Sequence, residues 1–304
     1  MTGLGFACIS KSLKENGRFR TMSVKTYNSL KPDERMKRLR AIAVDNLYNT
    51  CRIILWCIEN SISLYRLSSD LIPLAVYIPE WEWWEDRDIR NMCEKIKKIV
   101  DEGKIRISMH PDQFCVLNSD KAEVVKGSIA ILEHHNKLSN MVGNRILVIH
   151  AGSGTGGKSK AIERFIKNFN MLDEDIKKKI AIENDDKVFN AEDVLYLCEH
   201  LGVPMVLDIH HHKCNHEKDN LPQLMDRIKS TWKGKRPKVH LSSGKTCPTD
   251  RHHADYIDFK DYRQAAELVK NEFDIMMECK EKDLAVLKIL TYCIIFQDIL
   301  YNHP

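Results

Sequence analysis

The sequence predicts an α/β protein, a single-domain (β/α)8 barrel built from 304 residues. Three observations predict it. Short apolar runs of strand length alternate with charged segments of helical length. Several of those runs, such as VPMVL and RILVI, are continuously apolar, as expected of parallel strands whose outer face is covered by helices. Metal-type side chains close the runs: KIRISMH ends at His110, RILVIH at His150, KKIAIE at Glu183, VPMVLD at Asp208, PKVH at His240 and FDIMME at Glu278. Residues so distant in sequence share a site when they stand at the same ends of neighbouring parallel strands, and in a barrel the C-terminal end is the catalytic one.

The elements follow in order. LGFAC, 4–8, is the first strand, and a polar loop leads to a long helix over about 32–60, with Leu39, Ile42, Leu47 and Ile53 among its apolar positions. SLYRLS, 63–68, is the second strand. Helices are expected near 86–102, 121–140, 158–176, 190–200, 219–232, 260–271 and 281–301, separated by strands near 105, 146, 180, 205, 238 and 275. Asn190 before AED is a helix cap with Asp193 in the first turn, and Pro204 opens its strand, where a missing N–H is tolerated. No low-complexity linker interrupts the alternation, so 1–304 is expected to be one domain.

Composition narrows the class. A hydrophobic share of 43% beside 30% charged residues describes a water-soluble globular chain, and the longest apolar runs are too short to cross a bilayer. The N-terminus, MTGLGFACISKSLKENGRFR, has no basic start leading into a sustained apolar core, so no secretory signal is expected. The ten cysteines include no C-x-x-C pair and several lie in apolar patterns, which reads as buried free thiols in a reducing cytoplasm. Cys214 and Cys247 lie near the metal-type residues, where imidazole and carboxylate groups already suffice. A net charge of +4 is compatible with a phosphate-rich partner without requiring one.

Glu183, Asp208 and Glu278 offer oxygens that can bridge ions, and the histidines offer neutral nitrogens on fixed stems. A mixed nitrogen and oxygen set suits zinc, manganese or iron(II) and argues against calcium. Two or three such ions would hold a phosphodiester and ionise a water. In DIHHHKCNH, Asp208 and His211 are three apart and reach two different ions just past a strand end, while His210, His212 and His216 suit surface or supporting roles equally well. In RHHADYID, His253 and Asp255 are two apart and share a side of an extended stretch. A rival signal is GSGTGGKS, 152–159, which fits the phosphate-loop pattern between a strand and a helix. It belongs to the fourth strand–helix unit instead of opening a mononucleotide-binding fold, follows His150 after one residue and has no spare strand-terminal Asp, so it reads as a flexible turn whose N–H groups and Lys158 touch nucleic-acid phosphate, with no ATP site.

Taken in order, LGFACISKSL, TMSVKTYNSL, NLYNT, YRLSSDLIPLA, RISMHPDQFCVLNS, VIHAGSGTGGK, IAIENDDK, VPMVLDIHHHKCN, PKVHLSS, HADYID and IMMECKEKDLAVLKI span nearly the whole chain. In these motifs the chain resembles the ultraviolet-damage DNA endonucleases. The resemblance implies a TIM barrel related to the apurinic endonuclease and xylose isomerase barrels. It implies an enzyme that nicks damaged double-stranded DNA immediately 5′ of pyrimidine dimers and other distorting lesions without ATP, leaving a 3′-hydroxyl and a 5′-phosphate. It also implies two or three divalent ions, manganese or zinc, on His110, His150, Glu183, Asp208, His211, His240, His253 and Glu278. Glu183, Glu278, Asp208 and Lys238 are the implied catalytic groups, Lys238 matching a lysine that the family can carry as a carboxylated side chain.

Gln113 and Phe114 match the pair that the family inserts at a damaged base pair, an amide and a ring suited to base edges and stacking. Two positions depart from the family. Tyr77 stands where a histidine is usual, and Phe6 replaces a tyrosine of the first strand, keeping a ring for stacking without its hydroxyl. Phe6, Tyr77 and Lys158 complete the expected DNA-facing set. Arg66, Lys187, Lys213, Lys245 and Arg251 are expected to line the groove, and WEWWED, 81–86, reads as a groove rim or as burial against a helix. The chain is expected to act as a cytoplasmic monomer with no membrane partner. The alternatives are an abasic-site endonuclease or sugar isomerase on the same barrel, a nucleotide hydrolase through GSGTGGKS, and a damaged-DNA-binding protein that has lost catalysis.

Overall fold

Eight four-residue strands form the sheet: β1 Leu4–Ala7, β2 Leu64–Leu67, β3 Arg106–Met109, β4 Leu147–His150, β5 Ile180–Glu183, β6 Met205–Asp208, β7 Lys238–Leu241 and β8 Asp274–Met277. This computed structural model describes residues 2–111, 114–217 and 221–302. The strands pair in parallel in chain order, and β8 closes on β1 through Leu4↔Ile275, Gly5↔Met276 and Phe6↔Met277. Closure depends on a residue without a side chain, because a Cβ at Gly5 would lie 2.2 Å from the Leu64 carbonyl oxygen of β2. The expected (β/α)8 TIM barrel is the observed fold.

The helices are α1 Val24–Ser29, α2 Pro32–Glu59, α3 Arg87–Gly103, α4 Ala122–Val142, α5 Lys158–Phe169, α6 Glu174–Lys177, α7 Ala191–Leu201, α8 Ile209–Cys214, α9 Leu221–Thr231, α10 Phe259–Val269 and α11 Lys282–Asn302. Their starts follow local chemistry. Asp86 caps α3 by accepting from the N–H groups of Asp88 and Ile89, and Asn190 and Asp193 form a reciprocal capping box on α7. The single helix expected over 158–176 is two, α5 and α6, separated at 170–173. α8 lies within DIHHHKCNH, where the sequence reading had only a strand exit. Its length of six residues is too short for a periodic pattern to reveal.

The main core lies between the strands and the helices, where α2 buries Leu39, Ile42, Leu47, Ile53 and Ile54. Each such side chain contributes about 1.5–3 kcal/mol of transfer free energy. A smaller apolar cluster of Val148, Ala181, Val206 and Trp232 stands apart from it. Those three strand residues each precede a strand-end metal-type residue by two, so a period of two carries His150, Glu183 and Asp208 to the same side of the sheet as this cluster. All ten cysteines are free. No described helix is long and apolar enough to cross a membrane.

The N-terminal ends of the strands are tied by one buried carboxylate. Asp274 accepts hydrogen bonds from the Gly3 N–H (2.9 Å) and from Arg236 Nε (2.7 Å), and pairs with Arg106 through Nη1. Arg106 also donates to the Arg236 carbonyl at 2.8 Å, so β1, β3, β7 and β8 meet at this carboxylate. Removing one partner of such a network leaves charges half-buried and unpaired. Asp274→Ala is therefore expected to lower unfolding free energy by roughly 3–5 kcal/mol in urea titrations. Because it lies at the end remote from the metal-type residues, metal content per folded molecule should not change.

Candidate functional site

The C-terminal ends of the strands gather the metal-type residues. His150, Glu183 and Asp208 are the last residues of β4, β5 and β6, His240 is the third of β7, and His110 and Glu278 directly follow β3 and β8. Three groups of three have ligand atoms within 4.8 Å of one another: His110, His150 and Glu183; Glu183, His240 and Glu278; Glu183, Asp208 and His211. Seven of the eight expected ligands are thus brought together, and Glu183 is common to all three groups. The His253 ring lies outside these groups, 6.2 Å from that of His211, on a loop joined to Gly244 by an isolated bridge. Asp255 is exposed and belongs to no such group among the described residues.

The side chains are held tightly. Glu183 is 1% exposed and meets His240 Nδ1 at 2.9 Å and His110 Nε2 at 3.2 Å. Burial opposes its ionisation, yet the rings of His240 and His150 and the hydrogen bonds from His110 and His240 hold its carboxyl well below the usual range. Glu278 is likewise resisted by burial but held low by the Arg66 guanidinium and by His240, whose Nδ1 lies 3.0 Å away. For His211 burial favours the neutral ring, while Asp208 and Glu183 together raise it to about 9. His240 is raised by the same kind of competition, against Glu183 and Glu278, whereas burial leaves His110 lowered.

Asn184 is a positioning residue that the sequence reading missed. Its side chain donates to the Asp208 carbonyl (3.0 Å) and accepts from the Asp208 N–H (2.8 Å), and its own carbonyl meets His211 Nδ1 at 2.9 Å. The signal was its place immediately after Glu183 in IENDD. Asp208 caps α8 by accepting from the His211 N–H at 2.7 Å, and this sets the turn that brings the two together.

These residues fit divalent cations. Asp208 Oδ2 and His150 Nδ1 are buried with no hydrogen-bond partner, and a buried carboxylate oxygen left so is costly unless a cation satisfies it. A set of imidazoles and carboxylates suits zinc or manganese better than calcium. Lys238, two residues before His240, is 2% exposed, and its Nζ donates to Ser108 Oγ at 2.8 Å. Burial and the nearby Arg66 push its amine down to about 7.

Some expected residues are elsewhere. Phe6 does not face DNA: it is 0% exposed, packed edge-on to Trp56 of α2 and against Tyr65 of β2. Strand alternation puts it with Leu4 on the helix-covered side, so a larger apolar ring there is core packing. Arg66, expected along the groove, is instead largely buried and ion-paired with Glu278. Trp81 and Trp83 are buried, and Trp84 lies under Lys137, 3.1 Å from its ring centroid. Lys158 opens α5 and pairs with Asp193 at 2.6 Å, while Lys213 and Arg251 pair with Asp261 and Asp186. Lys187 and Lys245 are exposed. Cys214 and Cys247 join no metal-type group among the described residues.

Two aromatic rings do stand out, Tyr77 at 74% and Phe114 at 66% exposure, on the loops that follow β2 and β3. Gln113 lies outside the described residues. The segment behind Phe114 is pinned: Val116 N–H donates to Ser128 Oγ (2.8 Å), Asn168 to the Leu117 carbonyl (2.6 Å) and Arg164 to the Asn118 carbonyl (2.7 Å). Asn118 also exchanges two hydrogen bonds with the Ser153 backbone, at 2.7 and 2.9 Å, which couples this loop to the one after His150. The close approach needs Gly152, at φ +98°, since a Cβ there would lie 2.3 Å from Asn118 Oδ1.

Residues 2–301 match the family described as UV-endonuclease UvdE. The chain belongs to that family. It is 35% identical over 294 residues to the UV DNA damage endonuclease of Bacillus mycoides (strain KBAB4), covering 94% of this chain and 92% of that one. The protein of the same name from Bacillus anthracis shows the same identity and coverage. The crystal structure of SacUVDE superposes with a TM-score of 0.88 at 31% identity, covering 98% of this chain and 99% of that one. Endonuclease IV from Thermus thermophilus, at 16% identity, 80% and 93% coverage and a TM-score of 0.58, shares the fold. Membership in the UvdE family and the cluster around Glu183 make the chain a metal-dependent DNA-repair endonuclease.

A pH measurement checks the electrostatics without metal. The stability that His211 contributes through its carboxylate neighbours is fully present below its ordinary value of 6.5 and is lost as pH rises through about 9. Lys238 acts in the opposite sense between about 7 and its ordinary 10.5, so total stability masks the effect. The difference between the chelated native protein and chelated His211→Gln isolates it. That difference should shrink by roughly 2–3 kcal/mol between about pH 6 and pH 10 in urea titrations. A difference independent of pH would remove the assigned ion pairing.

Proposed function

We propose that this endonuclease hydrolyses the phosphodiester immediately 5′ of ultraviolet photoproducts and other distorting lesions in duplex DNA, leaving a 3′-hydroxyl and a 5′-phosphate. The observation that carries the reading is the convergence of three metal-competent groups on Glu183, at a barrel end whose loops expose Phe114 and Tyr77. Two or three divalent ions, manganese or zinc, held by His110, His150, Glu183, Asp208, His211, His240, His253 and Glu278, would supply Lewis-acid stabilisation of the phosphate and lower the pKa of an attacking water.

The protein's own groups prepare that chemistry. Glu183 fixes His110 and His240 in one orientation, and Asn184 fixes Asp208 with His211. Lys238 carries its amine inside the barrel against Ser108, with no carboxylate paired to it among the described residues. We assign it a carboxylated side chain, as the family resemblance implies, which would exchange a buried positive charge for a negative one facing the cluster. Phe114, with Gln113, fills the space opened at a lesion, where nucleotides are already partly unstacked and cost less to displace. The protein is read as a cytoplasmic monomer that acts without ATP.

A duplex carrying one defined pyrimidine dimer, incubated with purified protein and manganese, should show a single nick directly 5′ of the dimer. Glu183→Gln should retain its fold and most of its DNA affinity and lose at least ~10²-fold in rate, as when one electrostatic contributor is removed. Lesion binding by the native protein with no nick would favour the competing reading of a binding protein impaired by Tyr77.

Phe114→Ala tests the probe separately. It should leave metal content unchanged and weaken capture of damaged duplex by roughly 1–3 kcal/mol, the worth of one base–aromatic contact. Affinity for intact duplex, which rests on phosphate charge, should change little. Equal losses on both duplexes in competition binding would make Phe114 a general groove contact.

A further inference from the structure

The opposite end of the barrel holds a recess of which the nuclease reading uses only Lys238. It has a volume of about 370 Å³, and residues from the starts of β2, β3 and β7 and from the segments before β4 and β7 line it. Ligand sites commonly begin near ~300 Å³. Lys104, Arg106, Arg145, Lys235 and Arg236 surround it, and Lys238 and Ser108 reach it from the barrel interior. Asp101 is the carboxylate of the lining, while Asp274 is occupied by Arg106 and Arg236. Lys104, Arg145 and Lys235 have no ion pair or side-chain hydrogen bond among the described residues and are exposed. Three unpaired cations converging on one concavity repel each other, a cost that an anion seated between them removes.

The remaining walls are apolar. Ile107 and Ile146 are among the lining residues, and Ile146 packs against a buried cluster that includes Trp232, which is 1% exposed and has its indole N–H committed to the Met205 carbonyl at 2.7 Å. The lining therefore offers apolar contact without an available indole donor. We propose that the N-terminal end of the barrel is a binding site for a small phosphate monoester carried on a planar apolar body, of mononucleotide size. The apolar wall takes the ring, and the rim takes the phosphate through charge-assisted hydrogen bonds from lysine and arginine. The recess lies at the end of the strands remote from the metal cluster, so one duplex held at the cluster does not fill it. Lys238 apart, the site draws on no residue of the nuclease assignment.

Calorimetric titration of the full chain with deoxyadenosine monophosphate tests this, beside inorganic phosphate and deoxyadenosine as separate probes. The monophosphate should bind at one site, at least ~tenfold tighter than either probe, the least that one charge-assisted hydrogen bond is worth. The triple variant Lys104→Glu, Arg145→Glu, Lys235→Glu should weaken it at least ~tenfold. It should fold normally by circular dichroism, since all three side chains are exposed, and should nick damaged duplex at the native rate. Binding that survives in Glu183→Gln and in chelator separates the recess from the metal cluster. Loss of binding in Glu183→Gln, or an affinity unchanged in the triple variant, overturns the proposal. So does intact duplex competing as well as the monophosphate at equal phosphate concentration, which would make the cations a general DNA-binding patch.

Discussion

A carboxylate that is almost wholly buried and yet ionised is the constraint on which the rest of this structure depends. Glu183 belongs to every metal-competent group among the described residues, and rings at the ends of β3, β4 and β7 surround it. Burial alone would neutralise such a group, so the imidazoles are its condition for staying charged. The dependence runs both ways, since Glu183 and Glu278 raise His240 against the burial that disfavours its charged ring. Arg66 completes the arrangement by pairing with Glu278 from inside the barrel. Arg66 and the raised imidazoles offset part of the carboxylate charge, and a divalent ion bound here would compete with protons for the same ligand atoms.

The two barrel ends divide the work. At the N-terminal end Asp274 is satisfied by two arginines and the Gly3 N–H, with its partners close at hand. At the C-terminal end Asp208 Oδ2 and His150 Nδ1 are buried without partners. Both ends bury carboxylates, but among the described residues only the C-terminal end leaves a buried carboxylate oxygen and a ligand-type imidazole nitrogen without a partner, as a site that holds a cation requires.

Much of this was legible in the sequence because barrel geometry converts position into proximity. A residue closing an apolar run must stand at the strand's C-terminal end, so His150, Glu183 and Asp208 could be assembled before any coordinates. Lys238 and His240, two apart, fall on one side of β7 for the same reason. What escaped was set by facing and by tertiary partners. Phe6 enters the DNA-facing set through the family resemblance, in place of a first-strand tyrosine, but alternation along β1 places it beneath α2, and nothing local distinguishes the two faces of so short a strand. Arg66 has the composition of a phosphate-binding residue, and only the neighbouring Glu278, 212 residues away, turns it inward. Asn184 acts through backbone groups of a different strand, a role that residue type alone does not announce.

The anchoring of the Phe114 segment bears on the mechanics of the lesion-probe role proposed for it. A side chain that pries apart stacked bases experiences an equal force pushing it back into its own protein. In the proposed role of Phe114 that recoil would be taken up by Ser128, Asn168 and Arg164 on two helices, and through Asn118 by the loop leading from β4. A tip so braced yields little, and the deformation is then borne by the softer partner, the DNA. Sites already weakened in stacking give way first. Discrimination in such a device is a comparison of two compliances, and Gly152, by allowing Asn118 to seat, sets the stiffer one.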